Sequence, residues 1–307
     1  MIKIEKLGFS YNGSKRHALK NISLDIPDGD FLGIIGASGA GKTTLSCAIN
    51  GIIPHHYKGE YYGKVLVNGK DVFETEASTL ALEVGSVFQD VDSQMTSSVV
   101  EDEILFGLEN FGVPKEEIAS RLDWALKETE IENLREREIS SLSGGQKQKT
   151  AIAAILALCP KILVLDEPTG ELDPAASRNI FRILQDLNKN YGMTIIVIEQ
   201  KIMLLCEFAK HLAVMKEGAL EYYGTVHEVL SNSEEVLKTG VNCPRVVSLY
   251  NEFVQQKMID ISKTKVCINV EEAVSVVENI IEKKTSRKAA VTSTDKTTTT
   301  KKREGND

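Results

Sequence analysis

Residues 36 to 44 read Gly36-Ala37-Ser38-Gly39-Ala40-Gly41-Lys42-Thr43-Thr44, which fits the pattern GxxxxGK[ST] in full. Glycines at this spacing let a backbone wrap a phosphate chain with successive N–H groups turned inward, and a following helix adds its positive end. Lys42 then reaches the β- and γ-phosphates, and the Thr43 hydroxyl ligates Mg²⁺. Further along, the apolar run Ile162-Leu163-Val164-Leu165 ends in Asp166-Glu167. Two acids at the carboxyl end of a strand beside a phosphate loop suit a Mg²⁺-nucleotide site. Asp166 would hold the metal through water, and Glu167 would orient and deprotonate the attacking water. Between these segments lies Leu142-Ser143-Gly144-Gly145-Gln146. A serine and two glycines at a helix start form a second anion site, from a hydroxyl and free backbone N–H groups. One nucleotide does not need two cradles on one chain. The economical arrangement is a head-to-tail pair of domains, each lending this loop to the other's nucleotide.

The elements that carry these residues follow from patterning. Ile2 to Tyr11 and Leu19 to Ile26 alternate apolar and polar residues, and Pro27-Asp28-Gly29 is a turn. Phe31 to Ile35 reads as a buried strand feeding the phosphate loop, with a helix after it through Ile49. Val65 to Gly69 looks like a strand ending in a turn. From Val99 to about Glu136 the pattern is helical and charged, and it carries the only tryptophan, Trp124. Helices from about Gly145 to Leu158 and from Ala175 to Asn190 alternate with strands Ile162 to Leu165 and Thr194 to Ile198. Helices alternating with buried apolar strands predict an α/β fold with a mostly parallel core sheet. We expect one domain over residues 1–225 and a small extension of short helices over 226–282, with a weak strand from Lys265 to Val270. The last 25 residues, 283–307, carry eight basic and three acidic residues, seven threonines and no aromatic. That composition predicts a disordered basic tail.

Composition limits the alternatives. With 307 residues, 42% hydrophobic and 26% charged, the chain has ample material for a large core. A net charge of −8 argues against a nucleic-acid-binding protein. Five scattered cysteines form no CxxC pair, as in a reducing compartment. No run approaches the roughly 18 apolar residues needed to cross a bilayer, and the first residues lack the apolar core of a secretory signal. These features predict a cytoplasmic protein whose access to a membrane depends on a partner.

The LSGGQ segment about 20 residues before the strand ending in Asp166-Glu167, with the phosphate loop upstream, resembles the nucleotide-binding domain of ABC ATPases from Ile2 to about Gly224. The resemblance implies a P-loop fold with an N-terminal antiparallel β subdomain and a helical subdomain at about 90–158 that carries LSGGQ, and it implies further roles. Tyr11 matches the aromatic residue that stacks on adenine, the alternative being an ordinary strand tyrosine. Gln89 in Val87-Phe88-Gln89-Asp90 matches the glutamine that touches Mg²⁺ and senses the membrane partner. Asp173 in Gly170-Glu171-Leu172-Asp173-Pro174 matches the D-loop that couples two sites across a dimer. Ser143, Gly144 and Gly145 would contact the partner's ATP.

One position departs from the family pattern. Val197-Ile198-Glu199-Gln200 places glutamine where the family's switch histidine belongs. A glutamine amide donates a hydrogen bond but carries no proton or charge, and losing one transition-state donor costs about 10²- to 10³-fold in rate. Slow turnover at this chain's own site is therefore expected, with Gln200 as its marker and a heterodimer favoured over a homodimer. Asn50 to Pro54-His55-His56, Gly63 to Gly69, Asp92-Ser93-Gln94 and Val100 to Asn110 resemble the ATPases of energy-coupling factor (ECF) importers. That branch implies a second ATPase, a transmembrane T component, a membrane-embedded substrate binder, and a peripheral place on the cytoplasmic face of the membrane. His55-His56 alone is a weak metal motif, which the resemblance explains without metal. Glu101-Asp102-Glu103 reads equally as a solvated helix start or as part of the coupling surface. Val229 to Leu249, with Cys243-Pro244-Arg245, loosely resembles the C-terminal extension of these ATPases. The alternatives are a regulatory nucleotide-binding subunit with little hydrolysis, or the ATPase of a conventional ABC transporter.

Overall fold

The computed structural model describes residues 1–260, 263–282 and 285. The predicted tail, 283–307, lies outside the described residues except for Thr285. The described residues fall into two compact units, Met1–Asn242 and the residues from Cys243 onward.

In the first unit, β1 (Ile2–Tyr11) and β2 (Leu19–Ile26) pair antiparallel, as alternation predicts. The strand β3 (Phe31–Gly36) leads through the phosphate loop into α1 (Lys42–Ile49) and the short α2 (Ile52–His55). β4 begins at Gly59 and runs to Val67, so the strand read at Val65 starts a full arm earlier; with β5 (Lys70–Asp71) it completes a sheet of order β2-β1-β4-β5. α3 (Ala77–Glu83) and β6 (Val84–Val87) follow. The helical region consists of α4 (Val91–Gln94), α5 (Val100–Asn110), α6 (Lys115–Glu128) and α7 (Gly144–Leu156). The chain then returns to the sheet with β7 (Ile162–Asp166), α8 (Pro174–Tyr191), β8 (Thr194–Ile198) and α9 (Ile202–Phe208). The hairpin β9 (His211–Lys216) and β10 (Ala219–Thr225) precedes α10 (Val226–Ser231) and α11 (Ser233–Lys238).

The second sheet has the order β10-β9-β3-β8-β7-β6 and is parallel except for β10 on β9. Its central strands are continuously apolar because both faces are covered: every residue of β7 and β8 is buried. One core joins the inner face of the antiparallel sheet, α1 and one face of β3, β7, β8 and β9. A separate core, with Ile104, Leu108, Leu122, Leu126 and Ala153, holds α5, α6 and α7 together as the helical subdomain. The strand order sets the carboxyl ends of β3, β8, β7 and β6 side by side, so the four loops that follow them share one edge. In open α/β sheets that edge is where ligands bind.

Three readings need correction. The first unit continues beyond the boundary expected at 225, because Val226, Val229, Leu230 and Val236 are buried in it. A Cβ placed on Gly240 would lie 3.2 Å from that of Ala37. The strand expected at Lys265–Val270 does not form. Residues 270–282 are helical instead, started by Asn269, whose side chain accepts from the Glu272 N–H at 2.8 Å while Glu272 accepts from the Ile268 N–H at 3.0 Å. The acids of α5 are not simply solvated. Glu103 is 7% exposed and accepts from the N–H groups of Thr96 (2.8 Å) and Ser97 (2.7 Å), and Glu101 pairs with Arg135 at 2.6 Å. The second unit contains α12 (Arg245–Gln255), whose Tyr250 hydroxyl donates to the Thr264 carbonyl at 2.6 Å.

Candidate functional site

The phosphate loop depends on two glycines for its closeness to neighbouring backbone. A Cβ on Gly36 would lie 2.4 Å from the Met215 carbonyl oxygen, and one on Gly41 2.6 Å from that of Ala18; Gly41 also has φ 100°. Ala37, Ser38 and Gly39 form the exposed apex, and Ala40 closes the turn with its N–H on the Ala37 carbonyl at 3.1 Å. Lys42 is only 6% exposed, and its ammonium donates to the carbonyls of Gly36 (3.0 Å) and Ala37 (3.2 Å). The cation is thus held inside the loop it would share with a phosphate. Gly41 gives α1 no side-chain cap, so the first N–H groups of the helix remain available to an anion.

Tyr11, at the end of β1, donates to or accepts from the Thr44 hydroxyl at 3.2 Å and packs edge-on against Phe9 (4.9 Å between ring centres). Burial raises its pKa, the bond to Thr44 opposing. It lines a cleft of about 440 Å³ with Lys42, Thr43, Gln89, Glu167 and Gln200. Arg16 and His17, in the β1–β2 turn, also line this cleft; nothing in their local pattern marked them.

Asp166 ends β7 and is 5% exposed. Burial raises its pKa above the ordinary aspartate value; a hydrogen bond with Thr43 and the charge of Lys42 oppose this, while Glu167 and Glu199 add to it. Glu167 has φ 48°, a left-handed conformation uncommon for a side-chain-bearing residue. This turn swings its carboxylate into the cleft, between two amides. The Gln89 side chain donates to one oxygen at 3.1 Å, and the Gln200 side chain to the other at 2.8 Å. Residues from three loops separated by 78 and 33 positions in sequence therefore meet on a single carboxylate.

Ser143, Gly144 and Gly145 lie outside the cleft that the phosphate loop lines. Ser143 caps α7 in a reciprocal box with Gln146: the Gln146 side chain accepts from the Ser143 N–H at 2.9 Å, and the Ser143 hydroxyl accepts from the Gln146 N–H at 3.4 Å. Ser143 and Gly144 are exposed and do not line the phosphate-loop cleft. Asp173 is likewise exposed, and its side chain accepts from the N–H groups of Ala175 (2.8 Å) and Ala176 (2.9 Å) at the start of α8. The fold thus gathers Tyr11, the phosphate loop, Gln89, Asp166, Glu167 and Gln200, and leaves Ser143 and Asp173 exposed, while Leu142 and Gly144 line a second cleft of about 460 Å³ that shares Gln89, Glu167 and Gln200. His55 spends Nε2 on the Val72 carbonyl at 2.9 Å. Among the described residues no group of three His, Cys, Asp or Glu side chains is placed to hold a metal ion.

Sequence reading missed two residues flanking Gln200. Glu199 is a carboxylate 2% exposed, and Lys201 reaches back to the loop after Glu167. A charged residue following an all-apolar strand was the one available signal.

Comparison with known proteins shows the family of the chain. Residues 19–170 match the family described as ABC transporter. A Pyrococcus horikoshii protein named as an ABC transporter ATP-binding protein is 39% identical over 260 residues, 85% of this chain and 92% of that protein. A Bacillus subtilis protein, YkoD, named as an HMP/thiamine import ATP-binding protein, is 36% identical over 252 residues, 81% of this chain and 46% of its own length. The solved structure of cbiO1 from Clostridium perfringens, described as part of the ABC transporter complex cbiONQ, superposes with a TM-score of 0.70. It is 36% identical and covers 81% of this chain and 98% of its own.

Proposed function

The chain belongs to the ABC transporter ATP-binding family and is an ATPase; from that premise we propose that it energises a membrane importer of the ECF type. The observation that carries the reading is the meeting of the phosphate loop, Gln89, Glu167 and Gln200 in one cleft, while the LSGGQ loop stays outside it. A nucleotide lying on the phosphate loop is then completed by the LSGGQ loop of a second ATPase. In that pair Ser143 and Gly145 serve the partner's ATP, and Asp173 couples the two sites. YkoD, named for import, and cbiO1, described as part of the transporter complex cbiONQ, favour the importer branch.

The residues present suit Mg²⁺. The Thr43 hydroxyl, the Asp166 carboxylate and the carbonyl end of the Gln89 amide are hard oxygen donors, and a carboxylate whose charge is disfavoured by burial gains from a neighbouring cation. When bound, the ion supplies neutralisation of charge on the β- and γ-phosphates. The chain's own groups do the rest. Lys42 and the loop N–H groups bind the phosphates, Tyr11 supports the base, and Glu167 takes the proton of the attacking water. Gln200 orients Glu167 and donates to developing charge without being able to carry a proton, so this site turns over slowly. The LSGGQ loop is intact, which favours a heterodimer with one weak and one strong site, on the cytoplasmic face of the membrane, bound to a T component and a substrate binder. Among the described residues no helix is long and apolar enough to cross a membrane, so such a partner would supply the path.

Tagged pull-down from detergent-solubilised membranes tests the assembly. Recovery of a T-type membrane protein, a small integral binder and a second ATPase supports it; recovery of soluble partners only, at good yield, refutes it. In the recovered complex Gln200→His should raise single-turnover hydrolysis at this chain's own site by about 10-fold or more, and no gain would defeat the weakened-site reading.

A further inference from the structure

Gln200 sits between two charged side chains that both reach the loop following Glu167. The buried Glu199 carboxylate accepts from the Thr169 N–H (3.0 Å), the Thr169 hydroxyl, and the N–H groups of Gln200 (3.0 Å) and Lys201 (3.2 Å). On the other side, the Lys201 ammonium donates to the Thr169 carbonyl, the Leu172 carbonyl (3.1 Å) and the Ser177 hydroxyl (3.2 Å). All three ammonium protons are used. Thr169 is fully buried, and both its backbone groups are held by the residues flanking Gln200. Charges satisfied this completely are costly to leave unpartnered. The loop therefore cannot shift without either dragging the Gln200 backbone or exposing unmet charge. Ser177 lies in the first turn of α8, the turn whose N–H groups Asp173 caps, so the grip extends to the residue expected to face the partner.

We infer that Glu199 and Lys201 staple the switch segment to the loop Thr169–Asp173, making the two one mechanical body, with Lys201 the positioning residue for Asp173. A movement of Gln200 at this chain's own nucleotide is thereby delivered to Asp173 and on to the partner's site. This second step rests on the paired-ATPase reading above; the staple itself does not.

Two readouts test it with full-length protein. In the isolated chain, hydrogen exchange of the 169–173 backbone is measured without nucleotide. In the complex recovered from membranes, turnover is measured against ATP concentration. Lys201→Met keeps the aliphatic stem and removes the ammonium; Ser177→Ala removes one of its three acceptors and leaves the charge. For Lys201→Met, exchange at 169–173 should rise by about 10-fold with the rest of the chain unchanged, and kcat should fall by about 10- to 100-fold. Its Hill coefficient should fall towards one, while ATP affinity of the isolated chain stays within about twofold. Ser177→Ala should move the same readouts less far, and it decides the matter if Lys201→Met does not fold. Unchanged exchange and unchanged cooperativity overturn the proposal. So does a chain-wide rise in exchange with parallel loss of ATP binding, which marks general destabilisation. A wild-type complex with no second ATPase would sink the paired reading alone, since exchange in the isolated chain still reports on the staple.

Discussion

Replacing Glu167 with glutamine separates binding from chemistry in this cleft. The carboxylate accepts from both Gln89 and Gln200, and Glu167→Gln is isosteric. An amide at 167 presents one oxygen and one NH₂, so one neighbour would face donor against donor. Either glutamine relieves this by turning its amide over, which keeps both contacts at a net cost of about 1 kcal/mol. The backbone at φ 48° is unchanged, and Lys42 with its loop follows a different strand, β3. Loss of the proton acceptor, in contrast, should lower turnover by about 10²- to 10⁴-fold, or roughly 3–5 kcal/mol in the barrier. Single-turnover hydrolysis at this chain's own site in the complex gives kcat there, and titration of the isolated chain with a fluorescent ATP analogue gives affinity. ATP affinity should stay within a few-fold, with a melting shift under about 4 °C. A kcat within threefold of wild type would show that Glu167 is not the base. A fall in kcat matched by an equal fall in affinity would show that the two amides hold the cleft open rather than the carboxylate doing chemistry.

Two other outcomes follow from single residues. Gly41→Ala puts a Cβ 2.6 Å from the Ala18 carbonyl oxygen at φ 100°; it should cost about 1–3 kcal/mol of stability and abolish ATP binding, as read by thermal melting with and without nucleotide. Asp166→Asn removes a buried charge whose pKa is raised. A raised carboxyl pKa means folding is disfavoured as pH rises through the ordinary aspartate range and past the folded value. The variant should therefore melt about 2–4 °C higher without nucleotide above that window, lose that advantage in acid, and lose Mg²⁺-dependent turnover; a pH series of melts checks the sign.

Much of this protein was legible locally. The phosphate loop depends on residue types at fixed short spacing, and the strands Ile2–Tyr11, Leu19–Ile26 and Thr194–Ile198 announce themselves by alternation or by continuous apolar runs. The same logic failed where an element is short or its partner distant. β6 is four residues, Val84-Gly85-Ser86-Val87, and becomes a strand only by pairing in parallel with β7. The β9–β10 hairpin offered a signal that went unread: Glu217-Gly218, both at positive φ, is the two-residue turn such hairpins favour. The reverse error came at Lys265–Val270, where β-prone residues find no ladder and a capping asparagine starts a helix. Glu103 reads as one acid in a solvated helix start until packing buries it over the N–H groups of Thr96 and Ser97.

The sequence by itself determined the phosphate chemistry, the alternation of strands with helices, and the substitution of glutamine at 200. Local spacing and period contain all three. Tertiary structure alone decided that Gln89 and Gln200 converge on Glu167, that Asp166 is buried beside Thr43, and that Glu199 and Lys201 grip the loop ahead of Asp173. Those are meetings between loops that follow different strands of one sheet, and they exist only once strand order has set the ends of β6, β7 and β8 side by side.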